Sequence, residues 1–267
     1  MASASGIEYE ARDGVAIVAI DRPEKRNAMS YPMLDAFHAA IAEATDDEGV
    51  RAVVVTGRGG AFCAGTDLSG LAELTAEERN EAGTAESWRW PLVACPKPVI
   101  GAIDGPAVGM GADFACQCDV RIASTTARFA WNFVHRGLVP DTGAGSWLLP
   151  RQIGTPAALR LLFSGAFLPA EEALALGFVT AIVEPGDLLD AALELAATLS
   201  AGSPLATGLV KRLVYDGLGR DVATHMEAHA AAIDVCFRSE DHQEGVASFL
   251  EHRSPNFTGR HPDTRTV

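Results

Sequence analysis

The chain is short of positive charge. Its 21 Lys and Arg stand against 35 Asp and Glu, giving a formal net charge of −14 and a pI of about 4.9. A duplex nucleic-acid binder needs a basic footprint, and this balance argues against one. A small anionic ligand held by a few local cations stays compatible with it. Long apolar runs are also missing: none approaches the ~20 residues that a membrane helix needs. The opening residues Met1-Ala-Ser-Ala-Ser-Gly6 lack the basic and apolar regions of a secretory leader. The expected location is therefore the cytoplasm. The five cysteines (Cys63, Cys95, Cys116, Cys118, Cys236) are odd in number and lack disulfide-framework spacing. Cys116-x-Cys118 has no second Cys or His pair to complete a zinc set, so reduced structural thiols are expected and no metal ligands.

The chain does have bulk. At 267 residues and 48% hydrophobic it can bury a substantial core without disulfides or metal. The first half alternates strand and helix signals. Ile7 to Ala11 and Val15 to Ile20 flank an Asp13-Gly14 turn and predict a hairpin. Tyr31 to Thr45 has helical periodicity, with Ser30 as N-cap. Val50 to Thr56 and Val99 to Ile103 read as strands buried on both faces, and Val120 to Ala123 and Ala127 to Ala130 as further strands. Residues 70 to 90 are Glu-rich and suggest a helical flap. From about Thr155 helices dominate, interrupted by one strand at Phe178 to Val183. The expectation is an α/β core over 1–195 followed by a helical region over 196–267.

Three glycine-rich segments follow apolar runs: Thr56 to Leu68, Asp104 to Asp113, and Gly137 to Ser146. Glycine there lets the backbone bend and bring N–H groups against a ligand, though each segment alone reads equally well as a tight turn. No Rossmann fingerprint sits in the required first βα turn, and no Gly-Lys-Ser/Thr follows to make a phosphate loop. Their order and spacing, with four further motifs, resemble the crotonase (enoyl-CoA hydratase/isomerase) superfamily. These motifs are Arg22-Pro-Glu-Lys-Arg-Asn-Ala28, Cys118-Asp-Val-Arg-Ile-Ala123, Gly165 to Val179 and Glu244 to Phe257. The resemblance spans nearly the whole chain. It implies a ββα spiral core, a C-terminal helical trimerisation region, and trimers paired into hexamers.

The resemblance also implies site roles. The backbone N–H groups of Thr66 and Met110 would form an oxyanion hole for an acyl-CoA thioester. Arg22, Lys25 and Arg26 would meet CoA phosphates, the alternative being a solvated charge cluster. The backbone of Ala28, Phe62 and Ala64 would recognise adenine, with Asp67 and Leu68 completing the binding segment. Asp67 reads by itself as a turn residue. CoA is part of the substrate, so no separate cofactor is expected.

Two positions depart from the hydratase pattern. Where the family's hydratases carry two glutamates, this chain has Asp113 and Phe133. Phenylalanine cannot move a proton, so two-carboxylate hydration is doubtful. Asp141 matches an Asp that serves as base or nucleophile in superfamily isomerases, including the epoxyphenylacetyl-CoA isomerase group, and in the chlorobenzoyl-CoA dehalogenases. The alternative for Asp141 is an N-cap of the following helix. Asp141 is thus the candidate base of a double-bond isomerase; hydration through Asp113, or a catalytically weak acyl-CoA binder, are the rivals. Trp88, Trp90, Trp131 and Phe133 hint at a bulky apolar pocket or, more commonly, core. His135 reads as packing, and His225 with His229 as a helix face.

Overall fold

The computed structural model describes residues 6–67 and 90–259. The flap expected over 70–90 therefore lies, except for Trp90, outside the described residues, as do Leu68 and Trp88. The chain divides into two units: Met1–Cys95 with Val99–Ala196, and Pro96–Pro98 with Ala197–Val267.

The first unit carries the sheets. The hairpin forms as expected, from β1 (Ile7–Arg12) and β2 (Val15–Ile20), paired antiparallel. Asp13 (φ 50°) and Gly14 (φ 78°) both have positive φ, as a two-residue hairpin turn requires. The sheet then grows in parallel through β3 (Ala52–Gly57), β4 (Val99–Ile103), β6 (Val120–Ser124) and β9 (Ala181–Val183). All residues of β2 and β4 are buried, which is why these runs are continuously apolar rather than alternating. Helix α1 (Tyr31–Asp46) lays Met33, Leu34, Phe37, Ile41 and Ala44 into the core. Ser30 precedes it in extended conformation, but its side chain makes no capping bond.

A smaller sheet joins β5 (Pro106–Val108), β7 (Arg128–Ala130) and β8 (Leu168–Pro169). Strand β5 lies inside the second glycine segment and carries little strand signal, because its pairing with β7 is non-local. Between these strands stand α2 (Pro91–Ala94), α3 (Met110–Gln117), α4 (Ala144–Trp147), α5 (Leu149–Ile153), α6 (Thr155–Ser164) and α7 (Ala170–Ala175). The strand expected from Phe178 begins only at Ala181. Phe178 and Val179 are buried, but their N–H groups turn back to the Ala173 carbonyl and close α7 instead of extending the sheet.

Helix α8 (Leu188–Leu199) leads into the second unit, formed by α9 (Pro204–Gly217), α10 (Val222–Arg238) and α11 (Glu240–Glu251). Ser203, Asp221 and Ser239 cap these last three through their side chains. Asp241 accepts from the amides of Thr258 and Gly259 and from the Ser203 hydroxyl, fixing the segment that follows α11.

The tightest backbone approach joins the first and second glycine segments. Cys63 bridges Ala107 in parallel, and Val108 N donates to the Cys63 carbonyl at 2.9 Å. A Cβ on Gly111 would lie 2.2 Å from that same carbonyl oxygen, where only backbone could yield. Gly111→Ala should therefore destabilise the protein by about 3 kcal/mol, the cost of overpacking a rigid core, read as a drop in denaturant midpoint at unchanged m-value.

Candidate active site

The site is built where those two segments meet. Strand β3 ends at Gly57, and the chain turns through Gly59 and Gly60 into Ala61–Asp67, a stretch held by distant backbone. Phe62 N donates to the Pro106 carbonyl, Ala64 N to that of Arg26, and Asp67 N to that of Met29. Asn27 is the buried hub of this region. Its side-chain amide donates to the carbonyls of Arg58 (2.9 Å) and Ala61 (2.6 Å), and its oxygen accepts from Arg22 N (2.8 Å). Asn27 also sits at φ 60°, a left-handed conformation that Asn tolerates better than most residues.

The second segment delivers α3. Gly109 has φ 57° and ψ −120°, which swings the chain into the helix so that Met110 is its first residue. A Cβ on Gly65 would lie 3.8 Å from Met110 N and 2.9 Å from the Val108 carbonyl oxygen. The amides of Thr66 and Met110 are thereby brought to one place, and their side chains touch, Thr66 Oγ1 to Met110 Sδ at 4.0 Å. Among the described residues neither amide donates to an acceptor in the chain. The helix N-terminus behind Met110 adds a favourable dipole for an anion placed there. The Phe133 ring packs beside Gly109, within 3.9 Å of where its Cβ would be, and makes an apolar wall.

The two aspartates have different surroundings. Asp113, in the first turn of α3, is 0% exposed. Thr142 Oγ1 donates to its Oδ2 at 2.6 Å, while Oδ1 is buried without a hydrogen-bond partner. Burial, reinforced by the charge of Asp141, pushes its carboxyl up to about 7 against the pull of Thr142. The buried Trp131 indole N–H faces the same carboxyl short of hydrogen-bond geometry, and a Cβ on Gly145 would lie 2.6 Å from Oδ1. Asp141 stands in the turn Pro140–Gly143, crowded by protein on one side and open to solvent on the other. Burial lifts its carboxyl to about 6, opposed by the Thr142 amide. Its charge is felt both by Asp113 and by Cys63, whose thiol burial pushes up to about 12. Asp141 therefore lies near residues on both segments that supply the converging amides.

Two neighbouring amides with no acceptor among the described residues, and a carboxyl of raised pKa near the segments that carry them, are suited to an oxyanion that forms as a proton leaves. Comparison with known proteins supplies the family. The family model described as enoyl-CoA hydratase/isomerase matches residues 10–260. The chain belongs to the enoyl-CoA hydratase/isomerase family. It is 37% identical over 255 residues to a probable enoyl-CoA hydratase of Rhodobacter capsulatus, covering 95% of this chain and 98% of that protein. It is 35% identical over 256 residues to the 1,2-epoxyphenylacetyl-CoA isomerase of Escherichia coli, covering 92% and 96%. The crystal structure of an enoyl-CoA hydratase from Bacillus anthracis superposes with a TM-score of 0.90 at 29% identity, covering 96% of this chain and all (100%) of that one. The fold is the crotonase fold of this hydratase/isomerase family, and acyl-CoA chemistry is its business.

Within this family frame the remaining site residues fall into two groups. Arg22 is turned inward: Nη1 pairs with Asp67 Oδ2 at 2.8 Å and donates to the Ala28 carbonyl at 3.1 Å. Asp67 thus ties the opening motif to the first glycine segment, with only 11% of its side chain exposed. Lys25 and Arg26 are exposed, and their side chains have no partner among the described residues. The N–H groups of Ala28, Phe62 and Ala64 are all engaged within the chain, Phe62 is fully buried, and the Ala28 carbonyl already accepts from Arg22, so Ala64 has the least committed carbonyl of the three.

The structure decides several of the alternatives left open by the sequence. Asp141 does not cap the following helix: Gly143 occupies the N-cap position of α4, and Thr142 Oγ1 accepts from Ala144 N at 3.2 Å. Trp131 is core, fully buried edge-on against Phe178, and not a pocket wall. Trp90 is a brace whose Nε1 donates to the Thr142 carbonyl at 2.9 Å. His135 is exposed and hydrogen-bonds the Ser164 carbonyl. Sequence reasoning missed Asn27 and Thr142, whose partners lie 31 to 34 and 29 residues away. The left-handed turn at Asn27 is the one local signal that could have flagged it.

The raised carboxyls make stability depend on pH. A folded-state pKa above the unfolded value means the fold holds a proton that the unfolded chain releases, so this contribution is complete below about pH 4 and is lost as pH rises through about 7 for Asp113. Asp113→Asn removes that loss. The melting temperature of Asp113→Asn minus that of the wild type should rise between pH 5 and pH 8, measured by differential scanning calorimetry; a constant difference would show that Asp113 ionises normally.

Proposed function

We propose that the protein is an enoyl-CoA double-bond isomerase with Asp141 as its single acid–base group. The observation that carries this reading is the contrast between the two carboxyls. Asp141 is open to a ligand and raised to about 6, whereas Asp113 is sealed behind Thr142, Trp131 and Gly145. Phe133, where the family's hydratases carry their second glutamate, is buried beside Gly109 and has no proton to give.

In this mechanism the thioester oxygen of a 3-enoyl-CoA accepts from the amides of Thr66 and Met110. Asp141 removes an α-proton, and the electron pair moves into the conjugated dienolate, its charge resting on that oxygen. The same carboxyl returns the proton to the γ-carbon, which leaves the double bond between the α- and β-carbons. One proton leaves and one returns, so the reaction is balanced without water or redox chemistry, and no separate cofactor enters it. Each preorganised amide should contribute roughly 3 kcal/mol to the enolate-like transition state. The Escherichia coli relative, named as an isomerase, supports this direction; the Rhodobacter capsulatus relative, named as a probable hydratase, supports the rival.

For the CoA portion, Lys25 and Arg26 are the free cations that would face its phosphates, with Arg22 holding the motif in shape through Asp67. The Ala64 carbonyl would accept from the adenine amino group, with Ala28 beside it and the buried Phe62 holding that backbone in place. Apolar residues exposed on α9 to α11, among them Val214, Met226, Phe237 and Phe249, support an oligomer, for which we propose the trimer or dimer of trimers that the resemblance implies.

Asp141→Asn should lower kcat for 3-enoyl- to 2-enoyl-CoA conversion by roughly 10²- to 10⁴-fold with little change in KM; near-wild-type turnover would overturn the assignment. Because a base works when ionised, wild-type kcat/KM should climb with pH and reach half its plateau near 6, where burial places Asp141 in the free enzyme. Lys25→Ala and Arg26→Ala should each raise KM for the CoA ester about threefold at unchanged kcat, an effect that shrinks with added salt.

A further inference from the structure

Asp113 occupies the position of a hydratase acid, yet nothing in the isomerisation uses it. Its side chain is fully buried, and its one bonded oxygen is held by the hydroxyl of Thr142, 29 residues along the chain. Thr142 is the neighbour of Asp141 and the centre of the turn that presents it. Its hydroxyl donates to Asp113 and accepts from Ala144 N, and its carbonyl accepts from Trp90 Nε1. Its amide faces the Asp141 carboxyl and favours the charged form. Gly145 completes the clamp, because any Cβ there would strike Asp113 Oδ1, the Trp131 ring and Pro140.

We propose that Asp113 is a positioning residue: through the Thr142 hydroxyl it holds the 140–145 turn against α3 and thereby sets the place and basicity of Asp141, exchanging no proton with substrate. The inference rests on Asp141 being the base. The ionisable groups about Asp113 are few. Asp141 faces it from the turn, Cys116 from the next turn of α3, and Cys63 lies on the first glycine segment beside Asp141. Both thiols are pushed upward by burial and stay neutral. Arg121 on β6 acts on Cys116, and its guanidinium is taken up by the carbonyls of Ala115, Cys118 and Phe178. Asp141 is therefore the negative charge that Asp113 meets. Below about pH 7 the acid at position 113 is mostly neutral, and it keeps the Thr142 bond without placing a full second charge beside the base.

The experiment compares Thr142→Ser, Thr142→Val, Asp113→Asn, Asp113→Ala and the Thr142→Val/Asp113→Ala double variant with Asp141→Asn, using kcat, KM and the pH profile of kcat. Thr142→Ser and Asp113→Asn keep the hydroxyl or its acceptor and should stay within about threefold of wild type, which is the size of effect expected where a hydrogen bond survives. Thr142→Val and Asp113→Ala release the turn and should lower kcat by about ten- to a hundredfold at near-constant KM, as misplacement of a base does. In both, the acid limb of the profile should move to higher pH, because a loosened turn weakens the amide bond that favours ionised Asp141. The double variant should be no worse than either single one, since both break the same link.

Asp113→Asn losing as much as Asp141→Asn would overturn the proposal by making Asp113 a proton carrier. So would full activity in Thr142→Val, or a loss there that Thr142→Ser shares and that leaves the pH profile in place. Asp141→Asn separates the two ideas: full turnover in it removes the base assignment and this inference with it, whereas loss in it beside an unaltered Thr142→Val removes only the inference.

Discussion

The close backbone approach of residues 61–67 to residues 105–111 governs the catalytic unit. Two amides can point at one oxygen only if the segments carrying them run side by side with no side chain between. The Cys63–Ala107 bridge and the Val108 to Cys63 hydrogen bond hold them there. The glycines follow from this. Gly105 would place a Cβ 2.0 Å from the Gly60 carbonyl oxygen, and Gly111 one at 2.2 Å from that of Cys63. The parallel sheet serves the same end, since β3 and β4 release their following loops at the same edge.

Around that fixed point the polar groups divide by function. Asn27, Arg22 and Asp67 use their hydrogen-bonding capacity on backbone or on each other, and so they shape the first segment. Lys25 and Arg26 keep theirs for solvent or a ligand. The two aspartates divide likewise, one sealed and bonded to Thr142, the other open on its turn. Burial raises both carboxyls, but only Asp141 is exposed.

Much of the fold was legible in the residues. The buried runs at 15–20, 52–55 and 99–103 announce strands covered on both faces, and the Asp13-Gly14 turn announces the hairpin. Strand β5 was not legible, because three residues of a glycine-rich loop become a strand only by pairing with β7. The strand expected from Phe178 was overextended for a related reason: burial of Phe178 and Val179 is real, but their amides serve the end of α7.

By itself the sequence determined the family frame and the glycine segments that the structure brings side by side, since glycine spacing and ordered motifs are local properties that survive in one dimension. It also named both aspartates and the loss of a carboxylate at Phe133. Tertiary structure alone decided which aspartate is accessible, that Thr142 rather than Asp141 serves the start of α4, and that Trp131 belongs to the core. Each of these turns on contacts across distances such as the 29 residues between Asp113 and Thr142 or the 52 between Trp90 and Thr142. Burial and hydrogen-bond partnership are set by the packed environment, and no spacing along the chain encodes them.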